Sequence, residues 1–312
     1  MSRSEAEQRH YAAFHELAVR VDDAPTDGPE PTDPSLPQLV VIGNCQAESL
    51  RLLLRGTDVR TVRVPPAHEL TADDVPRLQR LLARTDLFVS QPVGDGYRGL
   101  PIGTDQLAEH LPTDARTALV TPIRYHGLHP WHVVAHPPGL EDPDPPVVAY
   151  HDLRVVTGRS HGGRDEPPPG AVEEVGRRSV AELERREALH GSVVVSDLFA
   201  TPRRDMMRTV NHPGNSILEP VAARLREALG LDPAPPGLER PVLDAVHAPV
   251  EAPVVAAWGL DGDPEPDWRV QGERVPASYV AVEHEAFYRR RPAVATLLRR
   301  RFAELIEVLG LG

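Results

Sequence analysis

Lysine is absent from all 312 residues, so every permanently charged base is an arginine. That excludes a lysine Schiff base and a P-loop lysine, and leaves any phosphate to Arg, His or backbone N–H groups. There is one cysteine, Cys45, which rules out an intrachain disulfide and fits a reducing compartment. No apolar run is long enough to span a bilayer, and residues 1–8 carry no apolar core of a secretory signal. A soluble, cytoplasmic protein is the expectation. The formal charge of −12 comes without a basic stripe and argues against a nucleic-acid binder. What is abundant, proline above all at 34 residues, reads as genome base composition. The length suffices for a sizeable core, as one elaborated domain or one with an appendage.

The single cysteine lies in Leu39-Val40-Val41-Ile42-Gly43-Asn44-Cys45-Gln46. Four β-leaning apolar residues enter a polar turn, and Ala47, Leu50 and Leu54 then follow at helical spacing, so the stretch reads strand, turn, helix. A thiol there meets the N–H groups of a helix N-terminus, which favour its nucleophilic thiolate form. Gly43 allows the sharp turn, and Asn44 and Gln46 set side-chain amides beside the sulfur. The plainer alternative is a small buried Cys filling a corner.

Before it, residues 4–21 pattern as an amphipathic helix with Tyr11, Phe14, Leu17 or Ala18, and Val21 on one stripe, packed on the main domain or on a second copy in a homo-oligomer. A Pro/Asp-rich linker runs to residue 37. Beyond the cysteine, strands are expected at 59–64, 86–90 and 117–121, with helices at 72–84 and 104–110 and a Gly-rich loop at 91–103. This alternation predicts an α/β fold, a mostly parallel doubly wound sheet with flanking helices. Ligands then bind beyond the C-terminal strand edges, where Cys45, Gln91 and Pro122 would lie. Further on, the pattern gives a helix at 179–190 with a Ser179/Glu182 capping box and a strand from 192 running into a loop at 199. Residues 205–210 read as a strand or a helix. Next comes a helix with Pro220 in its first turn, a stripe of Val221, Leu225 and Ala228, and Gly230 at its stop. Residues 232–276 read as an irregular Pro-rich region with β-like pieces such as 254–258. A C-terminal helix is expected at 292–309, burying Leu297, Leu298, Phe302, Leu305 and Val308. The implied organisation is 1–37 helix and linker, 38–231 catalytic α/β domain, and 232–312 packed on that same domain.

Several loops carry candidate chemistry. Ser90-Gln91 after a strand can direct an amide at an oxyanion, and Arg98, next to Tyr97, can reach a phosphate. In Asn211-His212-Pro213, a histidine fixed by proline is a candidate base for Cys45, its ring oriented by Asp197, Asp205, Glu219 or Asn211. His126, His129, His132 and His136 recur at spacings of three, three and four. No carboxylate or cysteine joins them and Pro130 interrupts the face, so no metal is expected. Arg124, Tyr125, His129 and Trp131 read instead as a wet ligand wall. Residues 160–164, Ser-His-Gly-Gly-Arg, suit a flexible loop or a phosphate cradle, and Arg203 and Arg204 are further phosphate candidates.

Taken in order, Gly43-Asn44-Cys45-Gln46, Ser90-Gln91 with Tyr97-Arg98, Pro122 with Tyr125 and Gly127, and Asn211-His212-Pro213 resemble the WcbI-type family of polysaccharide-biosynthesis acetyltransferases of bacterial capsule loci. The likeness covers residues 38–230. It implies coenzyme A or acetyl-CoA as co-substrate and acyl transfer to a sugar hydroxyl, with Cys45 and His212 at the family's catalytic positions. The long N-terminal stretch and the Pro-rich tail after Leu231 depart from the pattern and extend the acceptor class to a natural-product scaffold. On this reading Arg98, Arg124 and Arg203 hold the coenzyme's phosphates, with Gly43, Tyr97, Tyr125 and His129 around it. Backbone N–H at Cys45 or Gln46 and the Asn44 or Gln91 amide meet the oxyanion. Either Cys45 takes the acyl group with His212 as base, or His212 deprotonates the acceptor while Cys45 lines the pocket. An esterase or thioesterase with the same nucleophile, and a non-catalytic binding protein with Cys45 in its core, are the other readings.

Overall fold

A computed structural model describes residues 5–15, 33–135, 143–159, 166–233 and 237–312. In chain order its elements are α1 (Glu5–His10), β1 (Gln38–Ile42), α2 (Cys45–Leu54), β2 (Arg60–Val62), α3 (Val75–Leu82), β3 (Leu87–Ser90), α4 (Thr104–Ala108) and β4 (Arg116–Leu119). There follow β5 (His132–Val133), β6 (His151–Asp152), α5 (Leu153–Thr157), α6 (Ala171–His190), β7 (Met207–Thr209), β8 (His212–Pro213) and α7 (Asn215–Ala228). The chain ends with β9 (Val246–His247), α8 (Ala252–Trp258), β10 (Trp268–Val270), β11 (Glu273–Val275), α9 (Ala277–Arg290), α10 (Pro292–Arg301) and α11 (Ala303–Val308). Contacts divide it into two units, each drawn from three segments: residues 1–122, 184–195 and 217–242, and residues 123–183, 196–216 and 243–312.

The first unit is built on a parallel sheet of order β2-β1-β3-β4. A parallel bridge from Val193 to Val120 prolongs it beyond β4. Every residue of β1 and β3 is buried, as strands covered on both faces require. Val40, Ile42 and Phe88 share a core with Leu78, Leu81 and Leu82 of α3, Leu107 of α4, and Tyr11 and Phe14. The expected N-terminal stripe thus packs here through Tyr11 and Phe14, although the helix ends at His10; Leu17, Ala18 and Val21 lie outside the described residues. The chain leaves β1 for β2 on one side and reaches β3 on the other, so the switch point lies between β1 and β3. The turn after β1 and the loop after β3 flank that crevice, where open α/β sheets take their ligands.

The second unit holds two antiparallel strand pairs, β5–β6 and β7–β8, and the antiparallel sheet β11-β10-β9. One core gathers Val155, Val156, Phe287, Tyr288, Val294 and Leu298, and another Val148, Tyr150, Val210, Trp268 and Val280.

Several expected elements are corrected. The helix expected from residue 179 begins at Ala171, because Ala171, Val172 and Val175 are already buried. Ser179 is no cap but a mid-helix residue, donating to the Val175 carbonyl (3.0 Å) and accepting from the His126 N–H (3.0 Å). Gly176 stands inside that helix where a Cβ would meet the Trp258 ring at 2.6 Å. Instead of a strand, 192–199 gives one bridge residue and a 3-10 turn over Ser196–Phe199. The helix around Pro220 starts earlier, at Asn215, which moves Pro220 to its second turn. Residues 254–258 are helical, in α8, and not β-like. The C-terminal helix breaks at Phe302 into α10 and α11. It buries Val294, Leu298, Ile306 and Leu309, while Leu297, Phe302, Leu305 and Val308 are half-buried.

Candidate functional site

Cys45, half-exposed, is the first residue of α2. Asn44 caps that helix, its Oδ1 accepting the Gln46 N–H at 2.8 Å, as short polar side chains do at helix starts. Gln91, buried at the end of β3, braces the turn from the neighbouring strand. Its Oε1 accepts the Asn44 N–H (2.8 Å) and its Nε2 donates to Gln46 Oε1 (3.0 Å). Its own N–H continues the ladder to the Ile42 carbonyl (2.8 Å). Gly43 is required by this bracket, since a Cβ there would lie 2.5 Å from Gln91 Oε1. The Gly43 carbonyl accepts from the Ala67 N–H (2.7 Å). Ser90, fully buried, donates to the Gln91 carbonyl (2.9 Å) and contacts Thr104 Oγ1 (3.1 Å).

The structure therefore gives Gln46, Ser90 and Gln91 a different task from the one expected. Gln46 and Gln91 hold the Cys45 turn in shape, and Ser90 ties the Gln91 carbonyl to Thr104. Gln91's amide is directed at Gln46, and the Gln46 N–H is engaged by the Asn44 cap. Thr104, through its hydroxyl to the Val93 N–H (2.9 Å), fixes the loop after β3 and was not singled out in the sequence. On that loop Tyr97 and Arg98 are exposed, and Arg98 adopts φ 55°.

In the second unit, β7 and β8 form a hairpin pairing Thr209 with His212. Pro213 follows, and the Gly214 N–H bonds to the Met206 carbonyl (2.7 Å). His212 Nδ1 lies 3.5 Å from the hydroxyl of Tyr150. That hydroxyl donates to Asn211 Oδ1 (3.0 Å) and accepts from Thr209 Oγ1 (2.9 Å). Burial holds His212 down to about 4, so the ring is neutral at neutral pH. Asn211, one of the four candidates for orienting the ring, accepts from the Tyr150 hydroxyl. Asp197, Asp205 and Glu219, the acidic candidates, are exposed. Tyr150 was missed, lying 62 residues before His212 with no local pattern to mark it; Thr209, two residues before Asn211 on a strand period, was the available signal.

The expected ligand wall is largely core. Tyr125 is 1% exposed and stacks on Phe199 at 4.5 Å, and burial raises its hydroxyl pKa. His129, 1% exposed, places Nδ1 3.0 Å from the Pro249 carbonyl and Nε2 3.3 Å from that of Met207. Burial brings it to about 4. Trp131 is buried under the Arg154 guanidinium, 4.6 Å above its ring. Arg124 is exposed, while Arg203 is exposed with its Nε 3.5 Å from Asp205. His126 Nδ1 faces the His132 carbonyl (3.1 Å) and His132 Nε2 faces Asp152 (3.6 Å), so these rings turn to separate partners. Among the described residues no group of three His, Cys, Asp or Glu could hold a metal. His136 and residues 160–164 lie outside the described residues. No helix among the described residues is long and apolar enough to cross a membrane.

A family model described as polysaccharide biosynthesis enzyme WcbI matches residues 38–234. No curated protein matches. Among solved structures, one of WcbI, described as a novel polysaccharide biosynthesis enzyme, superposes with a TM-score of 0.76 at 20% identity, covering 89% of this chain and 99% of that one. It is described as the native protein without a disulfide bond between coenzyme A and one of its cysteines. At that identity the likeness is one of fold.

Proposed function

Because the chain belongs to the WcbI family of polysaccharide biosynthesis enzymes, we propose that it transfers an acyl group, acetyl first, from coenzyme A to a hydroxyl of a saccharide or related acceptor. The observation that carries this reading is the Cys45 turn: a half-exposed thiol at the start of α2, braced by Gln91, beside the switch point of the sheet. The solved WcbI structure is described by reference to a coenzyme A–cysteine disulfide, and Cys45 is the one cysteine this chain has.

The donor set suits such a co-substrate. Arg98 and Tyr97, both exposed on the loop after β3, offer a guanidinium for phosphate and a ring for a base. His212, at about 4, is a weaker base than a free imidazole but stands wholly in the basic form at neutral pH. A neutral imidazole of this kind can take a hydroxyl proton and pass it to a thiolate. Asn44 is the oxyanion donor of choice, because its Oδ1 is fixed on the Gln46 N–H and its Nδ2 direction is thereby set.

Free-thiol release from acetyl-CoA in the presence and absence of saccharide acceptors tests the reading. Acceptor-dependent release is expected, with His212→Gln lowering kcat about 10²–10⁴-fold. Intact mass after incubation with acetyl-CoA reports whether Cys45 carries the acyl group. Release that is equally fast into water makes the protein a thioesterase. Full activity of Cys45→Ser removes the thiol from the proposal, and full activity of His212→Gln removes the base.

A further inference from the structure

We propose that Arg63 selects an acceptor bearing an oxyanion, a uronic-acid carboxylate or a sugar phosphate, by holding that group end-on beside the Cys45 turn. The proposal rests on the acyl-transfer reading for the reaction and adds to it the charge of the acceptor.

The position follows from the sheet. Val62, the last residue of β2, pairs with Val40 of β1, so Arg63 leaves the sheet at the same C-terminal edge as the Cys45 turn. The Ala67 N–H donates to the Gly43 carbonyl (2.7 Å) and ties the loop after β2 to that turn. Arg63 Nε lies 3.1 Å from Glu48 Oε1. Glu48 stands three residues after Cys45 on α2, which makes the two neighbours on the helix surface, about 5–6 Å apart at Cβ.

The fork of Arg63 is presented outward. Its Nε is buried, and the guanidinium carbon lies 5.6 Å from the centre of the Tyr11 ring. Among the described residues no acceptor engages the two terminal nitrogens, which are not buried, in a side chain 34% exposed. Glu48 does not cancel the charge, because Arg51 already grips both its oxygens (2.8 and 2.9 Å). Glu69 is turned to the Tyr11 hydroxyl (3.4 Å) and to His68 (3.8 Å). Two parallel N–H groups on one guanidinium match a carboxylate or a phosphate bidentately.

Reach decides between acceptor and coenzyme. The phosphates of coenzyme A are separated from its sulfur by the whole pantetheine arm, whereas a group on Arg63 sits beside a neighbour of Cys45. An acidic sugar with its hydroxyl at the acyl carbon spans that shorter distance. The sheet order β2-β1-β3 puts Tyr97 and Arg98, on the loop after β3, to the other side of β1, where they are left to the coenzyme.

Calorimetric titration of the full chain at fixed ionic strength, with coenzyme A present, compares glucuronate, glucose 6-phosphate and glucose. Wild type is expected to bind one of the two anionic sugars about 10–100-fold more tightly than glucose, and the one preferred names the source of the oxyanion. Arg63→Gln is expected to bring that sugar down to the affinity of glucose and to leave coenzyme A binding unchanged. A wild type that prefers neither anionic sugar overturns the proposal, and so does a preference that survives Arg63→Gln or a loss confined to coenzyme A. Should Arg63→Gln not fold, Arg63→Lys decides, keeping the charge but not the fork. A weakened preference there supports the assignment and an unchanged one overturns it. Binding of an anionic sugar through Arg63 without acyl transfer sinks the transfer reading alone, whereas transfer to glucose only sinks this proposal alone.

Discussion

Substituting Gln91 by leucine keeps its volume in the core but removes both ends of one bracket. The Asn44 N–H loses its acceptor and Gln46 Oε1 its donor, and Gln46 is fully buried. A buried polar group left without a partner costs about 1–3 kcal/mol, so the expected loss is about 2–4 kcal/mol for the pair. Urea unfolding of Gln91→Leu checks this, and a midpoint equal to wild type would show that the bracket contributes nothing. The turn itself was legible: Gly43, Asn44 and Cys45 stand in the strand–turn–helix context that their types dictate. The direction of Gln91 was not. Side-chain aim across 45 residues of chain depends on the register of β1 against β3, which local patterns do not carry.

Among the elements, α7 shows why burial and polarity part company. The periodic stripe reads Val221, Leu225 and Ala228 as inward, yet Ala228 is exposed and Arg226 is 2% exposed. Arg226 reaches the end of α2, donating to the Leu54 carbonyl (2.7 Å) and to both Asp58 carboxylate oxygens (2.8 and 2.6 Å). Its Nε donates to the Asp232 carbonyl. Arg226→Met strands these acceptors; with Asp58 partly exposed, the expected loss is about 2–3 kcal/mol. Chemical unfolding that shows no loss would mean that water replaces the guanidinium fully. Across residues 38–121 the strands and helices fall close to where periodicity puts them, because each is short, apolar and bounded by turn residues. The later elements resisted. Ser179 with Glu182 imitates a cap inside α6, Val254 and Val255 imitate a strand inside α8, and α9 went unread.

For the molecule as a whole, the parallel sheet was legible from alternation alone, whereas the threading of two units through five crossings was not, since it arises from long-range contacts. Three acid-sensitive histidines fall on one side of the division. His126, His129 and His212 all belong to the second unit, and burial lowers each from 6.5 to about 4. A histidine held neutral in the fold regains its ordinary affinity for protons when the chain unfolds, so the unfolded state binds more protons between these two values. Its contribution is intact above 6.5 and is lost as pH falls toward 4. Each such group adds a slope of up to about 1.4 kcal/mol per pH unit within that window. Melting temperature should therefore drop steeply between about pH 6.5 and 4, before most free carboxylates are protonated. His129 isolates the effect, because it stands outside the proposed chemistry and both its nitrogens face backbone carbonyls. His129→Gln should start less stable at neutral pH, having lost packing, but its melting temperature should fall less per pH unit than that of wild type. An equal or steeper fall in the variant would mean that the buried imidazole is not what acid attacks.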